Sequence, residues 1–236
     1  MTSAIVIIAT TGAAVVRQAI HSCLNQTFPD LKVLAVVDGP EHHQAFAHHV
    51  TELDWSRFDA LTLPENVGRD KFYGHRIYAG FSHLVNEDYV LFLDEDNFLE
   101  RDHVARLVEK IERKNLDWAY SLRRICDGRG KFIVNDDCES LGWWRGVGGY
   151  RLIDTNCYCL KRDVAAKIAS TWHGGWGQDR VVTTEIMQRF PQFGCSGAYT
   201  MNYRLTEGRL PKPEFFVEGA AGMKTIYTTG FPWVEP

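Results

Sequence analysis

Residues 4–9 read Ala-Ile-Val-Ile-Ile-Ala, an unbroken, β-branched apolar run closed by Thr10, Thr11 and Gly12. A strand with one wet face alternates polar and apolar side chains. One without alternation is covered on both faces, which means a parallel sheet sandwiched by helices. The pattern recurs at residues 32–37, which end on Asp38-Gly39-Pro40, and at residues 88–93, which end on Asp94-Glu95-Asp96-Asn97. Between these runs Val16, Ile20, Cys23 and Leu24 fall at helical spacing, as do Ile77, Phe81 and Leu84, and then Val104, Leu107, Val108 and Ile111. The first of these helices is expected to follow a Thr that accepts its free N–H groups. Residues 41–52 read as a further helix, 59–63 as a short strand and 66–69 as a glycine-containing loop. Such alternation predicts an open, doubly wound, mostly parallel α/β sheet of Rossmann type, with ligands bound at the carboxyl ends of the strands.

The second half is less regular. Strands are expected at 118–122, 131–134 and 152–160, and helices at 162–170 and 180–190; beyond Gly194 the prolines, glycines and aromatics leave no regular element assigned. With 236 residues, 45% apolar, the chain is long enough for one domain: a ligand-binding half over about 1–115, a second half over about 116–205, and an extension from 206 to 236. That extension is expected to form a lid, with an acceptor wall or a homo-oligomer contact as alternatives. A net charge of −4 supplies no general field for nucleic acid. No apolar stretch approaches the ~20 residues of a membrane span, and the N-terminus has no basic, cleavable leader, so a cytoplasmic protein without a transmembrane segment is expected. The six cysteines are too scattered for a disulfide framework and read as reduced, packed thiols. His42, His43, His48 and His49 never fall three or four apart, so they read as a solvated helix face rather than a zinc site.

Asp94 and Asp96 are two residues apart at the end of an apolar strand, so both carboxylates can point the same way. Two carboxylates on one spot repel unless a cation lies between them. Mg²⁺ and Mn²⁺ take oxygen ligands and are commonly held by one or two carboxylates together with a diphosphate.

The string from His21 to Asp30, running into Val36-Val37-Asp38-Gly39, then Asn66-Val67-Gly68, then Tyr89 to Asp96, resembles family 2 glycosyltransferases of GT-A fold over roughly residues 4–115. The resemblance implies a metal-dependent transferase that moves a sugar, with inversion, from a nucleotide-diphosphate sugar (a UDP-sugar first) to a carbohydrate or glycoconjugate hydroxyl. Asp38 would contact the base, and Thr10 and Thr11 would line the same pocket. Asp94 and Glu95 would lie near the ribose and diphosphate, and Asp96, with Asp94, would bind Mn²⁺ or Mg²⁺. Arg69 and Arg76 flank the loop where the family places a nucleotide-binding arginine; Lys71 and His75 lie beside them.

Downstream, Trp172 to Arg180 opens a predicted helix and is similar to the acidic segment that supplies the family's catalytic base; here it reads Gln178-Asp179, leaving Asp179 as that base. Trp143, Trp144, Trp172 and Trp176 are candidate platforms for a sugar acceptor, because the apolar face of a sugar can lie on an aromatic ring. Two other readings stand beside this one. A sugar nucleotidyltransferase shares the sheet and the acidic pair, but the turn after the first strand lacks that class's basic, triphosphate-gripping residues. A non-catalytic nucleotide-sugar-binding module would account for Gln178.

Overall fold

The structure, a computed structural model, describes residues 2–138, 152–206, 208 and 211–231. Strands β1 (Ala4–Thr10), β2 (Leu31–Val37), β3 (Asp59–Thr62) and β4 (Tyr89–Asp94) form a parallel block in the order β3-β2-β1-β4, with Ala9 opposite Asp94 and Thr10 opposite Val37. Every residue of β1 is buried, as its lack of alternation requires. Helices α1 (Val16–Leu24), α2 (His43–Val50) and α3 (His75–Phe81) are laid along this block.

Past β4 the sheet becomes mixed. It continues through β5 (Phe98–Leu99), α4 (His103–Lys114), β6 (Trp118–Cys126), β7 (Phe132–Asn135), β8 (Tyr158–Lys161), α5 (Arg162–Ile168), α6 (Gln178–Arg189), β9 (Phe193–Arg204) and α7 (Pro213–Ile226). The spatial order beyond β4 is β8-β6-β9-β5, with β8 antiparallel to both β4 and β6, β9 parallel to β6, and β7 paired to the free part of β6. Because β8 runs against β4, its beginning lies at the same rim as the end of β4. The ends of β6 and β9 reach that rim too. The mostly parallel arrangement read from the sequence is therefore confined to the first half.

Several expectations change in detail. Helix α1 has no side-chain cap: Thr10 Oγ1 instead accepts from the Gly12 N–H at 2.9 Å and stays in the turn. Residues 152–160 are not one strand, because the Asp154 side chain accepts the Asn156 N–H and bends the chain into a 3-10 turn, Thr155–Cys157, before β8 starts. Gly194 and Gly197 interrupt the pattern of strand β9, and its pairing with β6 defines it. Helix α7 has Pro at its start and buries Phe216, Ala220 and Met223, so the described part of the extension packs onto the domain. No helix among the described residues is long and apolar enough to cross a membrane. None of the six cysteines is in a disulfide, and Cys157 and Cys159 are buried.

His103 opens α4 fully buried, with Nδ1 2.9 Å from Thr200 Oγ1 on β9 and Nε2 without a partner. Burial pushes this imidazole down from its ordinary 6.5 to about 4. The unfolded chain therefore takes up a proton near pH 6.5 that the folded chain refuses until about pH 4, so this group's contribution to stability is complete above 6.5 and declines as pH falls. Replacing His103 with Gln is expected to cost stability at pH 7. Denaturant titrations should show that deficit shrinking, by at most about 3 kcal/mol, as the pH is lowered through this window. A constant deficit would mean that His103 titrates normally.

Candidate active site

The carboxyl ends of β1, β2 and β4 open onto a cleft of about 600 Å³, lined among others by Thr10, Thr11, Asp38, Arg69, Asp94, Glu95, Asp96, Asp154, Trp176, Asp179 and Tyr203. This is where an open α/β sheet places its ligand.

The three acidic residues at the end of β4 are each fixed differently. Asp94 accepts from Tyr78 Oη at 2.7 Å and from Asn156 Nδ2 at 2.8 Å, while its own N–H donates to Asn156 Oδ1. Glu95 turns back to the end of β1, where it accepts from both Thr10 and Thr11 hydroxyls and from the N–H groups of Thr11 and Ala13. Glu95, Thr10 and Thr11 are thus joined in one knot, and Glu95 is a strut between two strand ends. Asp96 is held through its carbonyl, which accepts from Arg204 Nε at 2.8 Å. Arg204 also donates to Gln18 Oε1 and the Gly128 carbonyl, so it is itself rigid. Burial raises the Asp94 carboxyl, and the Asp154 charge adds to this against the Asn156 and Tyr78 hydrogen bonds. Burial, with Asp94 and Glu95 close by, pushes Asp96 up to about 7.

Asp38 is buried, and both its oxygens accept loop N–H groups, Val67 at 2.7 Å and Gly68 at 2.8 Å. The loop can approach this closely because residue 68 is glycine: a Cβ there would come within 2.5 Å of Asp38 Oδ2 and 2.4 Å of the Tyr73 carbonyl. Arg69 reaches the cleft wall and lies 3.7 Å from Glu65. Arg76 takes another course. Its guanidinium sits 3.3 Å above the Phe72 ring and donates to the Val67 carbonyl, so it braces the loop from beneath and is not among the residues lining the cleft.

Asp179 lies in the first turn of α6, after Gly177, whose φ of 84° favours glycine. Its Oδ1 accepts the Arg180 N–H and lies 3.6 Å from the Arg180 guanidinium. Burial raises this carboxyl first and the Asp154 charge second, while Arg180 lowers it. Gln178 bends away over Gly174 and donates to the Thr171 carbonyl. A glutamate in that pose would set a carboxylate against a carbonyl oxygen, which explains why an amide stands there. His75 Nδ1 lies 3.0 Å from the Gly174 carbonyl; a carbonyl only accepts, so this nitrogen carries the hydrogen and ties α3 to the segment before α6.

The tryptophans part company. Trp172 is 0% exposed, wedged among Phe92, Tyr78 and Tyr158, so it is core and cannot serve as an acceptor platform. Trp176 is 80% exposed at the cleft mouth, with the Arg180 guanidinium 5.6 Å from its ring. Trp143 and Trp144 lie outside the described residues.

The structure also brings in groups that spacing did not suggest. Asp154 lines the cleft and is clamped by Arg123 Nη1 at 2.7 Å, while Arg123 Nε holds Asp136 at 2.7 Å, all three buried. Asn156 joins Asp154 to Asp94. The sequence carried one usable signal, the Asp-Thr-Asn turn pattern at 154–156. Arg123 carried none, because a lone arginine inside an apolar strand has a partner only once strands from distant segments are adjacent.

No group of three His, Cys, Asp or Glu side chains among the described residues converges as a ready-made metal cage. The oxygen-rich rim does suit a hard cation held only in part by protein. Burial, and after it the neighbouring Asp94 and Glu95 charges, holds the Asp96 carboxyl well above its usual range, and a cation shared with phosphate oxygens would offset that.

Comparison with known proteins bears on the family and the fold. A family model, glycosyl transferase family 2, matches residues 4–169. Crystal structures of Staphylococcus aureus TarS residues 1–349 superpose on the chain at low identity. The complex with UDP-GlcNAc gives a TM-score of 0.64 at 12% identity over 98% of this chain and 67% of that one. The complex with UDP gives 0.62 at 11% over 98% and 66%, and a further crystal structure of TarS 1–349 gives 0.63 at 14% over 97% and 66%. The chain thus spans about two thirds of the TarS segments it matches, and 40% of the longer TarS chain. No curated protein matches the sequence. On the family match and the shared architecture, the chain belongs to glycosyl transferase family 2, a family of sugar-transferring enzymes built on the GT-A fold.

Proposed function

We propose that the chain transfers a sugar from a UDP-sugar to a hydroxyl of a carbohydrate or glycoconjugate acceptor, with inversion and with a divalent cation, in polysaccharide or glycoconjugate assembly. The observation that carries this reading is the meeting of Asp38 from the end of β2, Asp94 and Asp96 from the end of β4, and Asp179 from the start of α6 on one cleft at the strand ends. The TarS structures with UDP and with UDP-GlcNAc support the choice of nucleotide.

The donor would lie across the ends of β1, β2 and β4. Asp38, which lines the cleft and holds the 66–68 loop, would contact the base. Arg69 adds positive charge at the wall. Asp94, braced by Tyr78 and Asn156, would face the ribose and diphosphate, and Asp96, with Asp94 beside it, would hold Mg²⁺ or Mn²⁺. When bound, the cation supplies positive charge against the diphosphate.

Transfer is then a single displacement. The acceptor oxygen forms a bond to the anomeric carbon, the bond from that carbon to the diphosphate oxygen breaks, and the UDP leaves with the electron pair. Asp179 takes the acceptor's proton, and its raised proton affinity suits it to that task. Trp176 would carry the acceptor ring, close to the base and stiffened by Arg180.

Four outcomes test this reading. Incubation with UDP-sugars and Mn²⁺ should give UDP release that Asp96→Ala lowers at least about 100-fold with the fold intact by circular dichroism; turnover unchanged in that variant would refute the cation-binding role. Asp179→Asn should lower transfer by about 100- to 10,000-fold while calorimetry finds UDP binding retained. The acid limb of the wild-type kcat/KM profile should lie above the ordinary carboxylate range, because the base works deprotonated and its pKa is raised; Arg180→Gln, which removes a charge that lowers it, should move the limb to higher pH. Trp176→Ala should raise the acceptor KM by about 2- to 10-fold with kcat little changed, as expected for loss of one stacking surface.

A further inference from the structure

Asn156 is 1% exposed in the 3-10 turn that precedes β8, in a stretch outside every motif of the family resemblance. Its side-chain amide is fully engaged. Nδ2 donates to Asp94 Oδ2 at 2.8 Å and to Asp154 Oδ1 at 2.7 Å, and Oδ1 accepts the Asp94 N–H at 2.5 Å. Its own N–H donates to Asp154 Oδ1 at 3.0 Å. A side chain placed between two carboxylates and a backbone N–H must offer two hydrogens on one atom and a lone pair on another at that reach. Of the short side chains only asparagine does so.

The neighbours make this bridge stiff from both sides. Asp154 is locked by Arg123, whose other nitrogen is committed to Asp136. Asp94 is held on its second oxygen by Tyr78. The Asp94 carboxylate therefore has its direction set by Tyr78 from α3 and by Asn156 from the turn before β8, and it can neither swing out of the cleft nor move apart from Asp154. We infer that Asn156 is a positioning residue for donor binding and transfer: it fixes the Asp94 carboxylate at the diphosphate end of the cleft and couples it to Asp154. This rests on the nucleotide-sugar reading above.

The test compares wild type with Asn156→Asp, which keeps size and the acceptor oxygen but removes both donated hydrogens, and Asn156→Ser, which shortens the side chain without adding charge. Melting curves set a temperature at which each variant is folded, and the serine variant serves if the aspartate variant does not fold. At that temperature kcat/KM for the UDP-sugar is expected to fall about 10- to 100-fold, the size of effect seen when the partner that orients a ligating group is removed. Calorimetric affinity for UDP with Mn²⁺ is expected to weaken alongside it. A purely structural role would lower the melting temperature and leave kcat/KM and UDP affinity of the folded variants at wild-type values, and that result would overturn the inference. A wild-type chain that neither binds UDP nor turns over any UDP-sugar would overturn the underlying reading, and the inference with it. An active wild type with equally active variants would remove only the role of Asn156.

Discussion

Like charges have to be brought together for this cleft to exist. Asp94, Asp96, Asp154 and Asp179 line one opening, and burial raises the proton affinity of Asp94, Asp96 and Asp179. Left alone, such a set would protonate or push its elements apart. The fold offsets the repulsion by giving most of these groups a dedicated donor: Tyr78 and Asn156 for Asp94, Arg123 for Asp154, and the Arg180 backbone for Asp179. Asp96 differs. It is anchored through its carbonyl by Arg204, and burial with Asp94 and Glu95 close by raises its carboxyl.

The reversal of β8 makes this anchoring possible. A wholly parallel sheet would have delivered only strand ends to the ligand rim. With β8 antiparallel to β4, the turn that precedes it, carrying Asp154 and Asn156, arrives at that rim, pressed against Asp94. Strands β6 and β9 then run with β4, which brings Arg123, Tyr203 and Arg204 to the same end. The mixed half of the sheet is therefore the bracing for the acidic strand end. The aromatic core beneath it, with Trp172 against Phe92, Tyr78 and Tyr158, keeps α3 and the segment before α6 at fixed distance from β4.

Much of the first half could be read directly. β1, β2 and β4 declare themselves because burial on both faces demands continuous apolar runs, and α4 because Val104, Leu107, Val108 and Ile111 repeat with the helical period. Asp94, Asp96 and Asp38 were found because each follows such a run. Elsewhere local pattern and tertiary demand diverge. Trp172 and Trp176 are four residues apart in one motif, yet one is core and the other open, since the turn between them carries the chain out of the interior. Arg76 sits beside the right loop but spends its charge on Phe72 and Val67. Strand β9 was illegible because its glycines erase the alternation that marks a strand, and α7 because flanking prolines masked an otherwise regular stripe.

By itself the sequence determined which segments must be inside, in what order strands and helices alternate over the first half, and that acidic side chains terminate two buried strands. Those are consequences of burial and of backbone periodicity, which act over a few residues. Only the tertiary structure decided which charges meet: that Asn156 spans Asp94 and Asp154, that Arg204 from the last strand holds Asp96, and that Glu95 ties β4 to β1. Apart from Asn156 and Asp154, which share one turn, such partners are separated by tens to more than a hundred residues, and a hydrogen bond between them is set by distances of about 3 Å that nothing local in the chain encodes.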